Sequence, residues 1–290
     1  MQDNTNTEHI LSEALPYIKR IKGKIIVIKY GGSLMSNDAI KPLFAQDIVL
    51  LKHLGINPII VHGGGKEISK WMHKIGKESV FIEGLRVTDN DTMELTEMVL
   101  SGKINSEVVS MINSAGGNAV GLSGKDAQLF KSKKRHSKNN QDLGLVGDII
   151  HSDVSLLSIL SEKGYIPVIS SVSYDDDGNT LNVNADHVAQ EIATALKALK
   201  LILLTDVQGL LIDGQCCSKL SLSEAKKLLS HPDVHGGMLP KLESVIQSIQ
   251  GGVSDVHMIN GNIEHALLLE LLTETGIGTM IFQKSEKEAQ

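Results

Sequence analysis

Two apolar patterns alternate along the chain. Short runs rich in β-branched residues, at 25–30, 58–62, 165–171, 201–205 and 256–259, read as buried strands. Between them apolar residues return every three or four positions. Ile40, Leu43, Phe44, Ile48, Leu51 and Leu54 trace one face of a helix over 38–54, which Gly55 stops. The same spacing predicts helices over 66–75, 91–100, 103–114, 154–162, 187–197, 223–230, 242–250 and 265–273. A further helix leads the chain over 9–21, carried by Ile10, Leu11, Ala14, Leu15, Ile18 and Ile21, with Pro16 expected to kink it. Residues 119–122 add a strand, 276–282 a turn and last strand, and 81–88 a strand or hairpin.

One order recurs near the start: strand, glycines, helix. Ile28-Lys29-Tyr30-Gly31-Gly32 precedes the helix at 38–54, and Val61-His62-Gly63-Gly64-Gly65 precedes the one at 66–75. Two such units in succession predict an α/β fold with a parallel sheet and right-handed crossovers, which puts both glycine turns on the same sheet edge. Helix N-termini there offer backbone N–H groups and a positive dipole end to anions. Lys29 then stands at the carboxyl end of a strand, where open α/β sheets bind ligands. Read alone, it is equally a snorkelling lysine beside an ordinary turn.

The intervening stretches are polar. Residues 131–142, with Lys133, Lys134, Arg135 and Lys138, read as a solvated loop or hairpin tip, 175–179 as a turn, and 233–241 as a glycine-containing loop ending in Lys241. No proline-rich linker interrupts the order, so two lobes sharing one continuous sheet are expected across the 290 residues. A net charge of -6 and 3% aromatic residues argue against a nucleic-acid or membrane-surface protein, which needs a net basic face. Cys216 and Cys217 are adjacent, poor geometry for a disulfide, and fit a reducing compartment. With no signal or transit peptide and no apolar run of ~18 residues, the expectation is a soluble protein of the cytoplasm, or of the plastid stroma if plastid-encoded.

Several chemistries fail on spacing. No Gly-Lys pair has the rest of a Walker loop, no GxGxxG follows a strand, and His62 to Gly65 lacks the Gly-x-Ser-x-Gly elbow that an esterase needs. Pro232 interrupts the helix that would set His231 and His235 on one face as metal ligands, and the acids at 175–177 lack calcium-loop alternation. What survives at the strand mouths is Lys29 with its glycines, Gly63 to Gly65, Arg86, Asn182, Asn184, Asp186, Asp206 and Lys241. No nucleophile or general base pair is evident. Phosphoryl transfer needs neither, because its barrier falls mainly through alignment and positive charge on the transferring oxygens. The plainer alternative makes Asp186 a helix cap and the two asparagines turn residues.

Ile28-Lys29-Tyr30-Gly31-Gly32, Val61-His62-Gly63-Gly64-Gly65, Gly84-Leu85-Arg86-Val87-Thr88, Asn182-Val183-Asn184-Ala185-Asp186 and Gly237-Met238-Leu239-Pro240-Lys241 together resemble the successive motifs of the amino acid kinase family, and within it of the N-acetylglutamate kinases. The first motif is shared with carbamate, aspartate, glutamate and UMP kinases; the second, third and fourth are narrower. The resemblance implies a three-layer αβα sandwich around an open, mainly parallel sheet. It implies in-line phosphorylation of the side-chain carboxylate of N-acetyl-L-glutamate by ATP with Mg2+, a step of arginine biosynthesis, without a tightly bound cofactor or dedicated metal residues. Lys29 and Lys241 would stabilise the transferring group and Asp186 would organise them. Gly64, Gly65, Arg86, Asn182 and Asn184 would hold the substrate; Gly31, Gly32, Asp206, Gly209, Leu211 and Met238 would meet ATP. Arginine-inhibited members add an N-terminal helix that interlaces dimers into a hexamer, and by likeness Tyr17, Glu270, Gly276 and Gly278 would form the arginine site. Residues 1–22 would then be an oligomerisation helix, 23–180 the lobe for the acetylated amino acid and the dimer, and 181–290 the ATP lobe. The PII nitrogen-signalling protein, bound by some photosynthetic members, is an implied partner. Another acceptor of the family (aspartate, glutamate or carbamate) or a non-catalytic nucleotide-binding regulator is the alternative.

Overall fold

In a computed structural model of the protein, residues 13–137 and 139–283 are described; the first part of the expected leading helix, 9–12, lies outside them. Helix α1 occupies 13–21, followed by β1 (Ile25–Tyr30), α2 (Ile40–His53), β2 (Asn57–His62) and α3 (Gly65–Lys74). Next come the hairpin β3 (Phe81–Ile82) and β4 (Leu85–Arg86), then α4 (Asn90–Glu97) and α5 (Asn105–Ser114). The pattern at 91–114 suggested two separate helices. Instead α4 runs into α5 through a π-helical turn, Met98–Ile104, which absorbs the change of register without breaking the rod.

Strands β5 (Ala119–Leu122), β6 (Phe130–His136) and β7 (Asp142–Ser152), helix α6 (Ser155–Glu162), and strands β8 (Ile166–Ser170), β9 (Val172–Tyr174) and β10 (Thr180–Asn182) complete the first half. The second half holds α7 (Ala185–Ala195), β11 (Lys200–Thr205), the hairpin β12 (Leu211–Ile212) and β13 (Gln215–Cys216), β14 (Lys219–Ser221), α8 (Leu222–Leu228), α9 (Met238–Gln250), β15 (Asp255–Asn260), α10 (Ala266–Leu272) and β16 (Thr279–Phe282). Helix α8 starts from a capping box, Ser221 with Glu224. None of the described helices is long and apolar enough to cross a membrane.

Eight strands make one sheet in the order β14-β16-β15-β11-β1-β2-β8-β5, parallel except that β16 runs against β15 and carries β14 with it. Side chains of a strand alternate between faces, and β1 shows what that does here. Ile26, Ile28 and Tyr30 enter a core built with α2, α3, α5 and α10, while Val27 enters a second core built with α6, α7, α8 and α9. Both faces are therefore covered by helices, the expected three-layer α/β arrangement, and the central strands are continuously apolar for that reason. Each fully buried Ile or Val on them contributes about 1.5–3 kcal/mol. Register sets Lys29 beside Val61 and Tyr30 beside His62, so the two glycine turns leave the same edge.

The segment read as a solvated loop, 131–142, is mostly strand. β6 and β7 pair with β9 and β10 into a small closed sheet. Its strands bury Phe130, Leu143, Val146, Val172 and Leu181 together with a Ser173 hydroxyl that donates to Ser132 at 2.8 Å, but the cationic run on β6 masks that pattern in the sequence. That sheet matters for position: Asn182 pairs with Val146, and Gly144 bridges to Thr88 just after β4. Gly144 has φ +72, and a Cβ there would lie 2.2 Å from the Thr88 carbonyl oxygen. Gly144→Ala is expected to cost about 1–3 kcal/mol through strain and overpacking. A lower urea midpoint would show this, and an unchanged midpoint would contradict it.

Candidate active site

Lys29 leaves the carboxyl end of β1 on the face covered by α7, and the first turn of α7 meets it. Asn184 is the N-cap of that helix: its side-chain oxygen accepts from the backbone N–H of Asp186 at 2.8 Å and of His187 at 3.3 Å. The cap is therefore Asn184, and Asp186 is released to face Lys29. The Lys29 Nζ lies 2.9 Å from Asp186 Oδ1, close enough for an ion pair yet off the direction of a well-aligned hydrogen bond. Burial alone would push the Asp186 carboxyl up, but Lys29 first and Lys241 second hold it below its ordinary range. Burial pulls the Lys241 ammonium down, Asp186 raises it, and Lys29 lowers it again.

Lys241 does not end a loop as its glycine-rich approach suggested. It sits in the first turn of α9, because Pro240 there needs no intrahelical N–H partner and the helix starts before it. Lys29 thus pairs with Asp186 directly, while Lys241 acts on the same carboxylate at longer range and also feels Asp206.

Lys29, Asp186, Arg86, Asn182, Asn184 and glycines 31, 32, 63, 64 and 65 all line one cavity of ≈ 230 Å³. Gly64 is there for closeness: a Cβ would fall 2.3 Å from Ile104 Cδ1 and 2.6 Å from Leu100 Cδ2, both on the π-helical turn. That turn lets α3 begin against the cavity, with its first N–H groups unpaired within the helix. Asn182 donates to the Thr88 hydroxyl at 3.3 Å.

Arg86 is buried, and its four terminal N–H groups all find neutral acceptors. Nη1 donates to Ser79 Oγ at 2.7 Å and to Met72 Sδ at 3.2 Å; Nη2 donates to the Gly65 carbonyl and to Ser69 Oγ, both at 2.8 Å. The Phe81 ring covers one face of the guanidinium, 4.7 Å from its carbon. A carboxylate in the cavity therefore meets the undiminished charge rather than an empty fork. The sequence marked Arg86 and missed its holders, although Gly65, Ser69 and Met72 stand at helical spacing on one face of α3.

The other expected residues lie outside the cavity walls. Asp206 follows β11, exposed and within electrostatic reach of Lys241. Gly209 packs against Thr279, whose hydroxyl accepts from the Leu210 N–H at 2.8 Å; Leu211 opens β12 and Met238 opens α9. Glu270, Gly276 and Gly278 do come together: Glu270 Oε2 accepts from the N–H of Ile277 at 2.7 Å and of Gly278 at 3.2 Å. The sequence missed the rest of that group. His257 Nδ1 lies 2.5 Å from Glu270 Oε1, and Lys200 bonds His257 Nε2 at 2.8 Å and Asp255 at 3.1 Å. Tyr17 is half-buried on α1, with no hydrogen bond to this group among the described residues; α1 reaches it through Arg20, whose charge acts on Lys200. Asp213, His231 and Asp233 bring ligand atoms within 4.8 Å of one another on the surface.

A profile of the amino acid kinase family matches residues 24–260. The chain is 54% identical over 277 residues to the acetylglutamate kinase of Caldanaerobacter subterraneus subsp. tengcongensis, across 94% of this chain and 92% of that one. It is similar to the solved N-acetylglutamate synthase of Neisseria gonorrhoeae complexed with coenzyme A and N-acetyl-glutamate, with TM-score 0.86 and 27% identity. That match covers 96% of this chain and 63% of the synthase, so the chain spans under two thirds of the synthase's length. The same synthase complexed with coenzyme A and L-arginine matches with TM-score 0.81 and 27% identity, over 94% of this chain and 65% of that one.

His62, ahead of the glycines, is fully buried and serves the scaffold: its Nε2 accepts from Asn105 Nδ2 at 3.0 Å, and Nδ1 donates to the Gly63 carbonyl at 3.1 Å. Burial pushes its pKa down to about 4, with the Gly63 bond opposing. The unfolded chain, near 6.5, then binds more protons between the two values, so stability falls as pH falls through that window. The expected loss from this group is roughly 2 kcal/mol between pH 7 and pH 5. Urea unfolding at both pH values should show this slope in the native chain and a flatter one in His62→Gln; equal slopes would refute it.

Proposed function

The chain belongs to the amino acid kinase family, and from that premise we propose that it transfers the γ-phosphoryl group of ATP to the side-chain carboxylate of N-acetyl-L-glutamate. The products are N-acetyl-L-glutamyl 5-phosphate and ADP, in arginine biosynthesis. The observation that carries this reading is the joint presence, at one cavity, of Lys29 paired with Asp186 and of a buried arginine, in a chain 54% identical to an acetylglutamate kinase.

The acceptor is a carboxylate, ionised at neutral pH, so no base must remove a proton. One of its oxygens forms the new bond to phosphorus as the bond to the ADP oxygen breaks, and the departing electron pair stays on the β-phosphate. Two anions must approach, and that repulsion is the barrier the protein has to lower. Lys29 and Lys241 supply the positive charge, and Asp186 fixes both ammonium groups. The α3 N-terminus at Gly64 and Gly65 turns N–H groups toward the acceptor side. Arg86 holds the second carboxylate of the substrate, and Asn182 and Asn184 suit its acetamido group.

ATP lies against Gly31 and Gly32 and the segments bearing Asp206, Gly209, Leu211 and Met238. Magnesium travels with it, because such an ion is held largely by phosphate oxygens and water; Asp186, already answering two lysines, has little left to give it. Residues 23–180 form the lobe for the acetylated amino acid and 181–290 the lobe for ATP. Arginine acts as inhibitor at Glu270, Gly276 and Gly278 with Tyr17, a reading supported by the L-arginine complex of the similar synthase. Residues 1–22 join dimers into a hexamer in the cytoplasm, with the PII signalling protein as a candidate partner.

A coupled assay of ADP release should give turnover with N-acetylglutamate and far less with aspartate, glutamate or carbamate. ATP binding without any turnover would favour the regulator instead. Lys29→Ala and Lys241→Ala are each expected to lower kcat by about 10²–10³-fold with KM changed little; a change in KM alone would overturn their roles. Deleting residues 1–21 should reduce the hexamer to dimers in sedimentation, and an unchanged profile would refute the role of that helix.

A further inference from the structure

The cavity is bounded by Arg86, but Arg86 does not hold itself. Its side chain comes off β4, a strand of two residues paired only with the equally short β3. Such a hairpin cannot by itself fix a long side chain with four rotatable bonds. The guanidinium is instead gripped from behind by Ser69 on α3 and by Ser79 in the segment before β3, with Gly65 and Met72 beside them. The two hydroxyls are 3.4 Å apart, so they face the guanidinium as a pair spaced for its two terminal nitrogens. Neither serine belongs to the cavity wall; the wall is Arg86 itself.

The chemistry of the holders matters as much as their place. A buried arginine is more commonly oriented by a carboxylate. A carboxylate here would neutralise the charge on which an incoming acid depends, and binding would have to break an internal ion pair. Hydroxyl, carbonyl and thioether acceptors orient the guanidinium and leave its charge unspent. Burial lowers the pKa of Arg86 without any opposing anionic partner. The geometry fits an arginine preorganised for an anionic ligand.

We propose that Ser69 and Ser79 are positioning residues for acidic-substrate specificity, acting on the non-reacting carboxylate of the acceptor through Arg86. The proposal rests on the acetylglutamate reading above. With γ-carboxylate and phosphoryl group at Lys29, the α-carboxylate is the one left for Arg86, and its capture is a binding step rather than a chemical one.

The test is steady-state kinetics of the full chain with ATP and N-acetyl-L-glutamate. Ser69→Ala and Ser79→Ala should each raise KM for N-acetylglutamate about tenfold, the worth of a hydrogen bond to a charged group, with kcat within about twofold and KM for ATP unchanged. Ser69→Thr, which keeps the hydroxyl, should restore most of the affinity. In an Arg86→Ala background, adding Ser69→Ala should change kcat/KM by less than about twofold, because the effect runs through the guanidinium. Unchanged KM in both single variants would overturn the proposal, as would equal losses with and without Arg86. Equal losses in kcat and in both KM values would mark the serines as merely structural. Failure of the unmodified chain to phosphorylate N-acetylglutamate would instead defeat the functional reading, so the two failures are distinguishable.

Discussion

The contact between Lys29 and Asp186 is the constraint on which the arrangement depends. A carboxylate with one oxygen shut off from water, as Asp186 Oδ1 is, is costly unless it is paired, and its partners come from distant parts of the chain. Lys29 arrives on β1, Asp186 on the first turn of α7, and Lys241 on the first turn of α9. For those to meet, the sheet must be parallel at its centre, α7 and α9 must lie on one face of it, and both helices must begin at the strands' carboxyl edge. Asn184 satisfies the end of α7 so that Asp186 need not. Two lysines thus act on one carboxylate beside a cavity, with the exposed Asp206 acting on Lys241 as well.

Much of this was legible because it is local. Strand, glycine and helix follow one another within twenty residues around Lys29 and again around His62, and fully buried strands reveal themselves by composition. The choice between Asp186 as a cap and as a partner of lysines is not local, and the fold resolves it by giving the cap to Asn184. What misled was local too. Gly236 and Gly237 suggest a loop running to Lys241, although α9 starts at Met238 and its first turn tolerates Pro240. The π-helical turn at Met98–Ile104 shifts the apolar phase, and a reading at 3.6 residues per turn breaks the rod there. The closed sheet of β6, β7, β9 and β10 hides behind the run Lys131, Lys133, Lys134 and Arg135, whose charge reads as solvated although Phe130 and Ser132 beside it are buried.

Arg86 shows the same limit on a smaller scale. Its charge type suggested a carboxylate, but its orientation is set by α3 and the segment before β3, and only tertiary contact shows that Ser69 and Ser79 converge on it. Neutral holders around a buried cation are a compromise between two demands. Orientation lowers the entropic cost of binding, and an uncompensated charge preserves the attraction.

The sheet repeats the electrostatic problem at its other end with the sign reversed. Lys200 is the first residue of β11 and Asp255 the first of β15, so their cluster stands at the amino edge, one strand length from Thr205 and the reaction side. Burial pulls His257 below its ordinary pKa, so it is neutral at pH 7. Burial alone would raise the Glu270 carboxyl, but His257 and the Ile277 and Gly278 N–H groups outweigh it and keep Glu270 ionised. Two carboxylates then face one lysine, an excess of negative charge that Arg20 on α1 approaches from outside. One edge of the sheet thus gathers two lysines about a carboxylate, and the opposite edge two carboxylates about a lysine. A strand of six residues, about 16–20 Å long, separates them, too far for direct contact and too rigid to bend; whatever one site does to the other must pass through the packing of helices such as α10, which carries Glu270 and whose leading residue His265 bonds Asp47 on α2 at 2.6 Å.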